Sequence, residues 1–219
     1  MRLVVFDLDG TITYGDTLLP YVTGFLARAH RSRLRLARLL PALAAFAVGA
    51  ADHGAVKSAL IRSTLGGATR AQLAAWTQEF VPTVIHGSRP AALQMIKAHR
   101  DAADRLVLMS ASTDLYVPQI GQALGFDEVI CTGVAFDDSG RLQGALTTAN
   151  RRGPEKVRCF KALQQRQPGI ETVAYGNAGS DLAHLVLADL PRLVNASRRT
   201  ARQAAALGLT PFASWNSPP

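Results

Sequence analysis

The sequence predicts an α/β protein: a doubly wound parallel sheet with a helical domain inserted behind its first strand. Three observations carry this. Short Val/Leu/Ile-rich runs, apolar on both faces as strands of a parallel sheet are, recur between helical patterns. Residues 17–87 break that alternation with a helical, strand-poor segment. The length of 219 residues suits one sizeable domain carrying a smaller insertion.

Taken in order, residues 2–7 form the first strand, and residues 17–87 form four helices divided near Pro41, at 52–54 and at 66–69. The junctions fall at 14–16 and 86–89. They divide the chain into an α/β core, 1–15 and 88–219, and a helical cap domain, 16–87. Helix patterns follow at 90–99, 114–124, 155–165, 180–188 and 198–207. Strand runs alternate with them at 105–109, 128–131, 172–175 and 192–195. Val134–Phe136, the run DDSGR and residues 142–145 read as an inserted β-hairpin with Gly140 in its turn. The tail PFASWNSPP reads as loose apart from docking of Phe212 or Trp215.

Charge is unevenly placed. The chain carries a net charge of +8, and residues 17–87 hold eight Lys/Arg against only Asp52 and Glu79. Arginines run from Arg28 to Arg38, and a nearly uncharged stretch then continues to Ala51. That stretch is too short, and too broken by Pro41, to span a bilayer. It reads either as an inner helix of the cap or as an interfacial helix. In the second case Arg would sit at anionic headgroups and Leu/Phe in the acyl boundary, a peripheral contact with the inner face of the membrane. No nucleic acid is expected, because the basic run lacks interleaved aromatics. Cys131 and Cys159 have no metal-ligand or disulfide spacing, and the first strand starts without a leader-like pattern. Both features imply a cytoplasmic setting.

In a parallel sheet, ligands bind beyond the carboxyl ends of the strands. Asp7 and Asp9 end the first strand, Ser110 and Ser112 the second, and Asn177 and Asp181 follow the fourth. Lys156 opens the helix before that fourth strand. Any one of these could be a cap or turn residue, but together they converge on one edge.

The stretches DLDGT, LMSAS, GPEKV and YGNAGSD, in that order, closely resemble the four motifs of the haloacid dehalogenase (HAD) superfamily. The helical insertion between the first two makes the chain similar to the phosphoserine-phosphatase-like branch, subfamily IB. The resemblance implies a phosphatase with Asp7 as nucleophile, forming an aspartyl-phosphate, and Asp9 as general acid and then general base. It implies Mg²⁺ held by the Asp7 carboxylate and the Asp9 backbone carbonyl, with Asn177 and Asp181 as further metal residues. Asn177 departs from the usual GDxxxD pattern, so the site has less negative charge, and Asp181 would bind the metal directly or through water. Free amides of residues 8–10 would cradle the phosphoryl oxygens, with Gly10 permitting close approach and Thr11 fixing the loop.

The Ser110 hydroxyl and Ala111 amide match phosphate-binding positions, and Lys156 the lysine that neutralises charge. Ser112 fits that cluster or a helix cap equally well, and Ser180 falls where some relatives carry a phosphate-contacting Asn. In the cap, Asp16 matches a glutamate that meets the substrate ammonium in phosphoserine phosphatases, and Lys57 falls near their carboxylate-binding Arg. The five histidines show no metal-ligand spacing. The implied substrate is a small phosphorylated metabolite, phosphoserine-like. The alternatives are a membrane-associated lipid-phosphate phosphatase and a non-catalytic binding protein on the same fold. Oligomeric state stays open.

Overall fold

The computed structural model describes residues 1–215. β1 (Leu3–Phe6) leads through a tight turn (Leu8–Ile12) into a helical segment: α1 (Leu18–Arg28), a 3-10 stretch (Arg33–Leu39), α2 (Leu40–Ala47), α3 (His53–Thr64) and α4 (Arg70–His86). The rest comprises α5 (Pro90–Asp101), β2 (Arg105–Thr113), α6 (Val117–Leu124), β3 (Glu128–Thr132), β4 (Val134–Phe136), β5 (Leu142–Leu146) and α7 (Pro154–Arg166). β6 (Thr172–Gly176), α8 (Leu182–Leu185), β7 (Leu190–Val194), α9 (Arg198–Ala205) and β8 (Pro211–Ala213) complete it.

Six strands form one sheet in the order β3-β2-β1-β6-β7-β8, all pairs parallel. The chain winds one way from β1 to β3 and the other way from β6 to β8. The switch point therefore lies beside β1, where a crevice opens beyond the strand ends. Strand periodicity sorts β1 into two cores. Val4 and Phe6 join Leu106, Leu108, Ile96 and Ile120 on the α5/α6 side, which continues into the helical segment through Tyr21 and Phe80. Leu3 and Val5 join Val107, Met109, Phe160 and Leu163 on the α7/α8 side. Every β1 side chain is buried, which ties its C-terminal end to a fixed point.

The β4–β5 hairpin turns at Gly140 (φ +73°) and leans on α3. Ser58 donates to the Gly144 carbonyl at 2.7 Å, and a Cβ at Gly144 would lie 2.6 Å from the Arg62 backbone, so only glycine admits this approach. The helical segment is thus held to the α/β part through the hairpin as well as through the crossing at Thr13 and Ser88.

Four sequence expectations are corrected. The tail is not loose in its described part, because β8 adds a sixth strand; the expected docking of Trp215 is present, its ring stacked on Tyr175 and its amide donating to Asn195 at 2.7 Å. Three residues beginning with Pro at a sheet edge leave almost no strand pattern. Residues 216–219 of that tail lie outside the described residues. The helix expected at 180–188 shrinks to α8, and that expected from 114 starts at Val117 because β2 runs on to Thr113. Finally, α2 is not an inner helix: among the described residues it has no buried position. None of the described helices is long and apolar enough to cross a membrane.

Candidate active site

Beyond Phe6 the chain leaves the sheet at Asp7 and turns through Gly10 at φ +82°. A Cβ there would lie 2.2 Å from the Asn177 amide nitrogen, so glycine lets the loop after β6 close over the loop after β1. Asn195 seals the other side by donating to the Gly10 carbonyl at 3.2 Å.

Lys156, 2% exposed on the first turn of α7, reaches Asp7 Oδ1 at 2.6 Å and Asp181 Oδ1 at 2.7 Å. The second Asp181 oxygen accepts from the Asn177 and Ala178 amides at 3.2 and 3.0 Å. Thr11 Oγ1 lies 3.0 Å from Asp7 Oδ2 and 3.2 Å from Asn177 Oδ1. One ammonium therefore serves two buried carboxylates, and one negative charge is left over. Burial, aided by Asp181 and Asp9 and opposed by Lys156, pushes Asp7 up to about 7. Asp181 stays low because its burial penalty is outweighed by Lys156. Burial alone would lower the Lys156 ammonium, but its two carboxylate partners raise it instead.

Asp9 is wired differently. Its Oδ1 accepts from the Thr17 amide at 2.8 Å and the Thr17 hydroxyl at 2.7 Å, and its Oδ2 accepts from Ser112 at 2.7 Å. Tyr116 Oη lies 2.9 Å from Thr17 Oγ1 and extends the network. Burial raises the Asp9 carboxyl despite the Thr17 and Ser112 bonds, the direction that a proton donor needs.

A pocket of about 270 Å³ opens above these groups, lined on the α/β side by Asp7, Asp9, Ala111, Ser112, Lys156 and Asp181. Asp16, Lys57, Leu18, Leu19, Val56 and Leu60 line it from the helical segment. Ser180 and Ala178 also reach it.

The structure thus brings Asp7, Asp9, Ala111, Asn177, Lys156 and Asp181 to one place. Ser110 stands apart from the pocket surface: it is fully buried, accepts from the Ser112 amide at 3.0 Å and lies 3.5 Å from Asp9 Oδ2. Ser112 does not cap a helix but holds Asp9. Asp16 lines the mouth and also caps α1 through the Leu19 amide at 2.9 Å. Lys57 turns inward, donating to the Ala111 carbonyl and to Asn150 Oδ1, and burial lowers it to about 8. Sequence reasoning missed Thr17, because a threonine ahead of a helix reads as a cap, whereas this hydroxyl makes no capping bond. Asn150 and Arg152, also at the pocket, lie in a loop without a motif.

The donors suit a hard divalent cation, with one restriction. Asp7 Oδ2 and Asn177 Oδ1 share Thr11 as neighbour, and the surplus negative charge calls for a counter-ion. Both Asp181 oxygens and the Asp9 carboxylate are already engaged in hydrogen bonds or ion pairs. No group of three or more His, Cys, Asp or Glu side chains converges as a metal cluster among the described residues. The fit is therefore to a carboxylate oxygen of Asp7 beside the amide oxygen of Asn177, not to a carboxylate cage.

The model of the haloacid dehalogenase-like hydrolase family matches residues 4–185. Protein CicA of Caulobacter vibrioides is 33% identical over 192 residues, covering 85% of this chain and 83% of its own. A protein with unknown function from Bordetella pertussis Tohama I shares the fold with a TM-score of 0.79 at 24% identity, covering 96% of this chain and 97% of that one. A substrate-bound phosphoserine phosphatase does so with a TM-score of 0.68 at 15% identity, over 98% of this chain and 93% of that one. The chain belongs to the haloacid dehalogenase-like hydrolases.

Proposed function

We propose that this hydrolase is a Mg²⁺-dependent phosphomonoester phosphatase working through an aspartyl-phosphate on Asp7. One observation carries the reading: two carboxylates two residues apart, one wired to a lysine and the other to hydroxyls and an amide. That difference supports two roles. An Asp7 carboxylate oxygen attacks phosphorus, and the bond from phosphorus to the leaving oxygen breaks as Asp9 donates its proton to that oxygen. Water then attacks the same phosphorus while Asp9 takes up its proton, and the Asp7–phosphorus linkage breaks, releasing inorganic phosphate. Lys156 balances charge on Asp7, and Asp181 holds Lys156 and the 177–178 amides in place. Asp7, Asn177 and the Asp9 carbonyl would hold the divalent cation, with Asp181 supporting them from behind. When bound, that cation supplies the positive charge the site lacks and polarises a phosphoryl oxygen.

The substrate we favour is a small phosphorylated metabolite, phosphoserine-like, in a cytoplasmic setting. Asp16 and Lys57 at the pocket wall offer one group of each sign to a zwitterionic leaving group. Phosphoserine phosphatases that share the fold make the same class of substrate reasonable. Turnover of p-nitrophenyl phosphate with added Mg²⁺, abolished by Asp7→Asn, is the expected result. Undiminished turnover in that variant contradicts the proposal.

A further inference from the structure

The outer face of the helical segment has a composition that water alone does not explain. Leu34, Leu40, Leu43, Phe46 and Val48 lie within fifteen residues of chain, and all are exposed: Leu34 81%, Leu40 65% and Val48 80%. α2 has no charged residue, and no acidic residue occurs from Arg28 to Ala51. A helix apolar on all sides is normally found inside a protein or against lipid. Among the described residues nothing buries this one.

Basic groups border that apolar patch. Arg28 is used internally on Glu79, and Arg31 on the Thr64 and Gly66 carbonyls. Arg35 and Arg38 make no ion pair among the described residues. The patch also runs to the active-site mouth. Phe46 packs on His53, their ring centroids 4.8 Å apart, and His53 lines the catalytic pocket beside Leu19 and Val56.

We propose that the face formed by the 3-10 stretch and α2 docks on an anionic lipid bilayer, with Arg35 and Arg38 at the headgroups and Leu40 and Leu43 in the acyl boundary. Charge selects this occupant. A second copy of the chain would bring two arginine-bearing, acid-free faces together, whereas an anionic surface meets them with opposite charge. The docked enzyme presents its pocket mouth at the interface. The inference concerns a surface, and its test does not depend on the phosphatase reading.

The test is co-sedimentation of the full chain with vesicles of phosphatidylcholine alone or mixed with phosphatidylglycerol. The wild type is expected to pellet with the mixed vesicles and to stay in solution with the neutral ones. Leu40→Gln/Leu43→Gln and Arg35→Glu/Arg38→Glu are each expected to weaken pelleting by at least about tenfold, with the circular dichroism spectrum and melting temperature unchanged. Hydrogen exchange on the wild type supplies a readout that needs no variant: amides of residues 34–48 should gain protection on the mixed vesicles. The proposal fails if the wild type stays in solution with both vesicles, or if the variants pellet as well as the wild type. It also fails if the protein is a dimer that Leu40→Gln/Leu43→Gln splits, which would assign the face to a second copy.

Discussion

Two apolar stretches of this chain meet opposite fates. LVVF in β1 is wholly buried, whereas LPALAAFA in α2 has no buried residue among those described. Their compositions alone would place both inside. The difference lies in what surrounds them. β1 has a strand on each side and a helical layer on each face, so all four side chains find partners. α2 packs against the short 3-10 stretch before it and along α3, and most of its surface is left over. Burial is a property of the neighbourhood, and hydrophobicity states only the demand.

This contrast sorts the consequences of mutation. The largest effect belongs at the end of β1: Asp7→Asn should lower kcat for p-nitrophenyl phosphate by at least about a thousandfold, because it removes the attacking atom. Next comes the body of the strand. Phe6→Ala should cost about 3–5 kcal/mol in urea unfolding, while Leu43→Ala in α2 should stay within about 0.5 kcal/mol. Equal costs would break the comparison.

A smaller effect tests how the helical segment reaches the chemistry. Thr17→Val removes one hydroxyl from Asp9 and keeps the backbone amide, with an expected loss of about tenfold in kcat. That hydroxyl favours the charged carboxylate, so its loss raises the Asp9 pKa further and moves the alkaline limb of the pH–rate profile upward. Unchanged limbs would reduce Thr17 to a packing residue.

The smallest effect concerns stability without added metal. Asp7, raised from 3.8 to about 7, keeps its proton in the folded state at pH values where the unfolded chain has lost it. Between pH 4 and pH 7 the folded form thus binds more protons, and stability declines as pH rises. Asp7→Asn should remove that decline and lift Tm at pH 8 by a few degrees relative to wild type, with little change at pH 4.

Much of this was legible because chemistry in a parallel sheet concentrates where strands stop. Asp7, Asn177 and Asp181 follow short apolar runs that the switch point beside β1 brings together, and Lys156 opens the helix that leads into one of them. Three things were not legible. β8 is three residues long and begins with Pro, so it has neither length nor alternation to announce it. Thr17 has the residue type and place of a helix cap, and only coordinates show its hydroxyl spent on Asp9. The exposure of α2 depends on how many neighbours the fold can supply, and a linear pattern does not encode that number.

The central claim is that Asp7 carries the phosphoryl group during turnover. Acid quenching in the steady state, followed by peptide mass spectrometry, tests it directly. The account expects a phosphate adduct, labile to hydroxylamine, on the peptide holding Asp7 and none in Asp7→Asn. An adduct on another residue, or steady turnover in Asp7→Asn, would contradict it.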